Sequence, residues 1–294
     1  MRLSATPVLL VGGLLLFAMV IKPFTDYMGN KPMQEKLGFV PSIKLIRPLA
    51  ADQKELAGAS LVMKVLMYYG GIMGKAQSGQ VVTEPADLAG MSRILHGAVL
   101  LDPYNMDAYY FAQGFLTWDA RQFKVANELL DYGMKYRTWD WYLPYFAGFN
   151  HAYFLKDYAK AADYYQKAGK LANNSLFINL AARYMQESGR TRFAIDYLAA
   201  MEKNELNPTL KKSYATRLAA FKEVQRIETA RDAWLKLHGN LPASVDQLLQ
   251  AGLLKSAPQD PYGGRFYLEN DGKVNSTSKF AFTAEKKGKN NGSN

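Results

Sequence analysis

Residues 158–169 read YAKAADYYQKAG. Alanines and aromatics fall in helical phase there, with charges on the other side. A lone amphipathic helix would take Leu at Ala161, Tyr165 and Ala168 alike. Small residues instead suit places where two helix backbones approach closely, with Tyr165 filling the gap between. Spacing supports this reading. Ala161 aligns with Ala126 and Ala194, at separations of 35 and 33 residues. Tyr165 then aligns with Leu130 and Leu198, and Ala168 with Gly133 and Met201. One period earlier, Met91, Leu95 and Ala98 repeat the offsets, and Asp102-Pro103 closes that unit. Each of the three later helices follows another helical stretch: DAYYFAQGFLTW, YLPYFAGFNHAYFL and LFINLAARYMQ. Gly114, Gly148 and Ala182 hold equivalent places inside them.

This pattern resembles the tetratricopeptide repeat family. That family has a helix–turn–helix of about 34 residues, a small residue in the first helix and an A…aromatic…A pattern in the second. Residues 50–203 carry the resemblance, with a degenerate unit at 54–103 that contains the Gly-rich GGIMGKAQSGQ. The resemblance implies a binding scaffold whose first helices line a concave groove. In that phase the groove holds Phe111, Phe115 and Trp118, then Tyr142, Tyr145 and Phe149, then Asn179, Arg183 and Gln186. A partner's helix or extended segment would dock there. An aromatic stripe at helical spacing also fits a core, so exposure decides between the two. At least two of Phe111, Phe115, Tyr145 and Phe149 are expected to be partly exposed in one patch, and Tyr165 to be packed.

Ahead of the repeats, Val8 to Ile21 is strictly apolar. With Ala5, Thr6, Pro7 and a snorkelling Lys22 it reaches the roughly 20 residues a bilayer needs. Residues 1–24 therefore read as a single-pass transmembrane anchor. A cleaved signal peptide is the alternative, but Val20-Ile21-Lys22-Pro23 supplies no A-x-A-like site. Residues 25–49 carry Gly29, Pro32, Gly38, Pro41 and Pro48 and read as a linker.

Beyond Asn204 the texture changes. A long helix is expected over Thr209–Leu237, then a short one from Leu241-Pro242-Ala243-Ser244 to Gly252. Asp260, Pro261, Tyr262, Gly263 and Gly264 form a turn. Arg265–Leu268 and Lys273–Ser276 flank Asn270-Asp271-Gly272, a hairpin signal. Residues 207–280 resemble the soluble part of type II secretion major pseudopilins, through Pro242, Leu248, Gly252, Leu254, Pro258, Asp260, Pro261, Tyr262, Gly263 and Tyr267. The acidic calcium loop of that family is missing, so Asp260 reads as an Asx-type cap of its turn. Residues 281–294, with Lys286, Lys287 and Lys289, read as a disordered basic tail.

The fold class is thus mainly α: a transmembrane helix, a repeat solenoid and a small α+β module. Without Cys, disulfides and thiolate metal sites are excluded. His96, His151 and His238 lack metal-ligand spacing, and no phosphate loop or nucleophile motif appears. The formal charge of +10 is spread over helices and tail rather than gathered on one stripe. The expectation is a non-enzymatic chain with no cofactor, no small-molecule substrate and no nucleic acid. Counting Lys and Arg alone would keep the C-terminal side cytoplasmic. The pseudopilin resemblance implies the opposite, a periplasmic soluble part on a bacterial inner membrane. The expected role is a scaffold for protein partners in a pilus- or secretion-related assembly. The alternative is a structural accessory subunit of a large membrane complex.

Overall fold

The computed structural model describes residues 5–77 and 85–281. Within them the chain is mainly helical, with one two-stranded sheet. Its contacts divide it into two compact units, 1–138 and 139–294. The expected basic tail lies outside the described residues apart from Ala281.

Unit 1 begins with α1 (Ala5–Asn30), which runs through Pro23. From Val8 to Asn30 it is long and apolar enough to cross a membrane, and none of it is buried. The segment expected as a linker is largely helical. Residues 25–30 continue α1, and α2 (Met33–Lys36) and α3 (Ile43–Ala50) follow. Tertiary packing overrides the prolines here. Leu37 is buried, and its side chain lies where Gly90 has no Cβ. Ile43 lies against Gly97 in the same way: a Cβ there would fall 2.5 Å from the Ile43 Cδ1. The lead-in is clamped by two glycines of one helix.

That helix is α5 (Leu88–Leu101), capped by the Asp87 carboxylate, which accepts from the Gly90 N–H. It packs between α4 (Lys54–Gln77) and α6 (Met106–Trp118), and α7 (Phe123–Tyr136) packs on α6. Met91, Leu95, Ala98, Leu116, Ala126 and Leu130 are core residues. The Gly-rich stretch continues α4 through Gly70, Gly71 and Gly74; residues 78–80 of it lie outside the described residues. One expectation fails here. The repeat alignment places Gly114 at a close helix contact, yet a Cβ there would meet nothing within 4 Å.

Unit 2 opens with α8 (Tyr142–Asn150) and a π-helical turn, His151–Leu155, that ends on Lys156 in the left-handed region. Then come α9 (Tyr158–Ala172), α10 (Ser175–Glu187), α11 (Thr191–Asn204) and α12 (Pro208–His238), each packed on the one before. Here the small residues behave as the spacing predicts. Ala161, Tyr165 and Ala168 are all buried. A Cβ at Gly148 would lie 3.3 Å from the Tyr164 Cβ and from the Tyr165 ring. The A-x-x-x-Y-x-x-A helix lets its neighbour in at one point and fills the space beside it.

After α12, α13 (Val245–Gln250) is capped by the Ser244 hydroxyl, and Gly252 supplies the left-handed residue beyond its end. Strands β1 (Phe266–Leu268) and β2 (Val274–Ser276) pair antiparallel, Phe266 opposite Ser276 and Leu268 opposite Val274. The change of texture at Asn204 is not a break in packing. One hydrophobic core runs from Ala161 and Tyr165 through Tyr214, Phe221 and Ile227 to Val274 and Phe280.

Candidate partner-binding surface

The nine groove residues meet three different fates. In unit 1, Tyr69 of α4 takes two of them edge-on, at 6.0 Å from the Phe111 ring and 6.2 Å from the Phe115 ring. Its hydroxyl donates to the Asp119 carboxylate at 2.6 Å. Phe115 is left 3% exposed and Phe111 half-buried, while Trp118 remains 58% exposed. Phe115 is thus core rather than groove. Tyr110, eight residues before Trp118 and not singled out by the sequence, is also exposed.

In unit 2, Tyr142, Tyr145 and Phe149 are half-buried in a ring network. Trp141 and Tyr145 lie 5.3 Å and 5.1 Å from Phe177, and Phe146 is 4.3 Å from Tyr142. Phe149 stacks on Tyr153 at 5.6 Å. Farther in, Tyr184 stacks on both Tyr158 and Tyr165, at 5.8 Å and 5.6 Å. Burial pushes the Tyr165 and Tyr184 hydroxyls above the ordinary tyrosine value. Exposure concentrates at the rim, in Trp139, Trp141 and Tyr153. Of Phe111, Phe115, Tyr145 and Phe149, at least two of which are expected to be partly exposed, Phe111, Tyr145 and Phe149 are half-buried. Phe111 belongs to unit 1, and Tyr145 and Phe149 to unit 2.

In the third set, on α10, Gln186 is covered by the chain itself, while Asn179 and Arg183 are half-buried. Gln186 is 1% exposed and donates through its amide nitrogen to the Val274 carbonyl at 3.1 Å. Asn179 bonds back to the Ser175 carbonyl, and its own carbonyl accepts from Arg217. Arg217 also donates to the Phe280 carbonyl at 3.0 Å. Next to Gln186, Glu187 pairs with Lys273, whose ammonium also sits 5.5 Å over the Tyr158 ring. Arg183 stays near Glu187 at 4.0 Å and keeps part of its surface. The end of α10, at Gln186 and Glu187, is therefore a seat for the C-terminal hairpin. Sequence reasoning missed this because Gln186 and Val274 are 88 residues apart.

The turn at Asp260 is closed by hydrogen bonds of its own. One carboxylate oxygen accepts from the Tyr262 N–H at 2.9 Å. The other accepts from the hydroxyls of Ser276 and Ser278. Pro261 is exposed, and Gly263 takes φ +83 while its N–H bonds the Asp260 carbonyl. Gly264 is obligatory for a different reason: a Cβ would fall 2.5 Å from both the Asp260 carboxylate and the Ser276 hydroxyl. Hydroxyls satisfy this carboxylate. Among the described residues no group of three His, Asp or Glu is placed to hold a metal ion.

Compared with known proteins, the chain matches no protein-family model and no curated protein. The likeness to tetratricopeptide repeats and to pseudopilins therefore rests on the residues quoted for it.

Proposed function

We propose that the chain is a membrane-anchored, tetratricopeptide-like scaffold that docks a protein partner in a bacterial envelope assembly, with its soluble part in the periplasm. The observation that carries this reading is the pairing of two features. One is an apolar helix, Val8–Asn30, with no cover from its own chain. The other is a set of exposed tryptophans at the ends of the helix pairs, Trp118, Trp139 and Trp141. Large aromatic side chains are the residues most enriched where interfaces derive their energy. The likeness of residues 207–280 to pseudopilins supports the periplasmic side and a pilus- or secretion-related setting.

A structural accessory subunit is the second reading. The burial of Phe115 and Gln186 favours it, since each removes a residue from the docking groove.

Photo-crosslinking residues placed at Trp118 and Trp141, with Tyr267 on the hairpin as reference, separate the two in native membranes. The scaffold reading expects one protein captured at the tryptophan sites and not at Tyr267. Equal capture at all three, or co-purification at fixed stoichiometry with no site preference, favours the accessory subunit. A C-terminal reporter active only in the cytoplasm would overturn the periplasmic side.

A further inference from the structure

The solvent face of α4 is mostly apolar between Glu55 and Lys75, which are exposed near its two ends. Leu56, Met63, Leu66, Met67 and Met73 are all exposed on it, with Leu56, Met63 and Met67 spaced seven and four residues apart and Leu66 and Met73 seven apart on an adjacent row. From Leu56 to Met73 the stripe is about 25 Å long at 1.5 Å per residue. Gly70, Gly71 and Gly74 continue it, and a Cβ at any of them would meet nothing. On α3, packed against α4 and α5, Leu45 and Leu49 are exposed beside Lys44 and Arg47, and Leu49 is 84% exposed. Met67 is 71% exposed. So large an apolar face, left open, marks a surface that something covers.

Charge and position say what covers it. A cavity of about 460 Å³ opens beside Met67, floored by Leu37 and Tyr68 and rimmed by Lys36, Lys64 and Lys75. Lys36 also donates to the Gly29 carbonyl, in the last turn of α1, at 2.9 Å. The membrane-side helix therefore ends at the rim of this cavity. Gly29 lies seven residues, about 10 Å along a helix, beyond Lys22, where the apolar run stops. A headgroup layer is about 5–8 Å deep, so Gly29 falls near its outer edge. From residue 25 to 77 the chain carries seven basic and four acidic side chains. An anionic surface attracts such a segment, and an amphipathic helix with leucines on one face and cations on the other lies in the interface plane.

We propose that the exposed face of α3 and α4 lies on the bilayer as a second membrane contact, with an anionic phospholipid headgroup held among Lys36, Lys64 and Lys75. The proposal rests on reading α1 as a membrane span. It gives unit 1 a fixed orientation on the membrane, because a single span leaves rotation about its own axis free and a second contact removes it.

The chain has no Cys, so single-cysteine variants of the full chain can carry one environment-sensitive fluorophore each. Leu15→Cys reports α1, Leu49→Cys and Met67→Cys report the face, and Lys135→Cys on α7 is the exposed reference. Each is reconstituted into phosphatidylcholine vesicles, with or without phosphatidylglycerol, and quenched with spin-labelled lipid. The expected result is strong quenching at Leu15, clear quenching at Leu49 and Met67, and little at Lys135. Anionic lipid deepens quenching at Met67, and Lys36→Gln with Lys64→Gln abolishes that increment. If Leu15 is quenched while Leu49 and Met67 match Lys135, the second contact is wrong and the anchor stands. If Leu15 itself is unquenched, the anchor reading has failed and takes the inference with it. Crosslinking between copies at Met67, without lipid quenching, overturns the proposal in favour of a second copy on this face. An anionic increment that survives the paired substitution overturns the headgroup assignment.

Discussion

Helix α9 and the last two turns of α4 are both rich in small residues, and the two use them for opposite reasons. In α9 every small residue of the A…Y…A pattern is buried, and the neighbouring Gly148 is held against the Tyr164 and Tyr165 side chains. In α4, Gly70, Gly71 and Gly74 border open space. A small residue in a helix thus has no single meaning. It marks close approach only where a bulky neighbour sits at its Cβ position, as Tyr165 does at Gly148. Where nothing sits there, the small residue smooths a face. The same test divides Gly148 from Gly114, two glycines that the repeat alignment treats as equivalent.

The largest expected effect comes from removing the side chain that fills the α9 contact. Tyr165→Ala deletes a buried ring that stacks on Tyr184, and aromatic-to-alanine changes in a core cost about 3–5 kcal/mol. Denaturant unfolding in detergent measures it. A loss under about 0.5 kcal/mol, the size of a surface change, would mean that α9 is not the packed centre of unit 2.

Next comes the closed turn of the C-terminal module. Gly264→Ala drives a methyl group into the Asp260–Ser276 bond, and overpacking of this kind costs about 1–3 kcal/mol. Wild-type stability for this variant would show that the hydroxyl cage is loose.

The glycine pair sharpens the comparison because its two members are expected to differ in sign. Exchanging Gly for Ala inside a helix is worth up to about 1 kcal/mol where nothing opposes the new methyl. Gly114→Ala should realise most of that gain. Gly148→Ala meets two tyrosines at 3.3 Å, and the strain should outweigh the gain, for a net loss of about 1 kcal/mol. Equal shifts at both positions would erase the distinction between the helices.

These cases also show what the sequence could carry. Short-range signals were legible. The apolar run marked α1, and the offsets at Ala161, Tyr165 and Ala168 marked a buried helix. Asn270-Asp271-Gly272 marked the hairpin, and Ser244 with Gly252 marked the limits of α13. Contacts between distant segments were not. Nothing near Phe115 announces that Tyr69 covers it, and nothing near Gln186 announces Val274. Both residues have the periodicity of a groove, and a groove filled by the chain's own later segments has the same periodicity as an empty one. The prolines of residues 25–49 misled for a related reason. Their local breaking tendency is real, but Leu37 and Ile43 are held by Gly90 and Gly97, more than 50 residues downstream.

The smallest expected effect asks how dry the contacts of unit 2 are. Burial, and then the neighbouring Tyr214, raise the Tyr197 hydroxyl from the ordinary 10.0 to about 12. The folded form therefore keeps its proton at a pH where the unfolded chain has lost it. Below pH 10 both states are protonated and the group makes no pH-dependent contribution. As pH rises from 10 toward 12, unfolding releases a proton, so stability falls with pH. Tyr197→Phe removes that dependence and leaves the ring in place. Its stability relative to wild type should stay constant up to pH 10 and then improve, a difference that denaturant titrations across the alkaline range resolve. Curves that stay parallel up to pH 12 would mean that water reaches Tyr197 in the folded state. The α11 layer would then be as open at this residue as α4 is along its outer face.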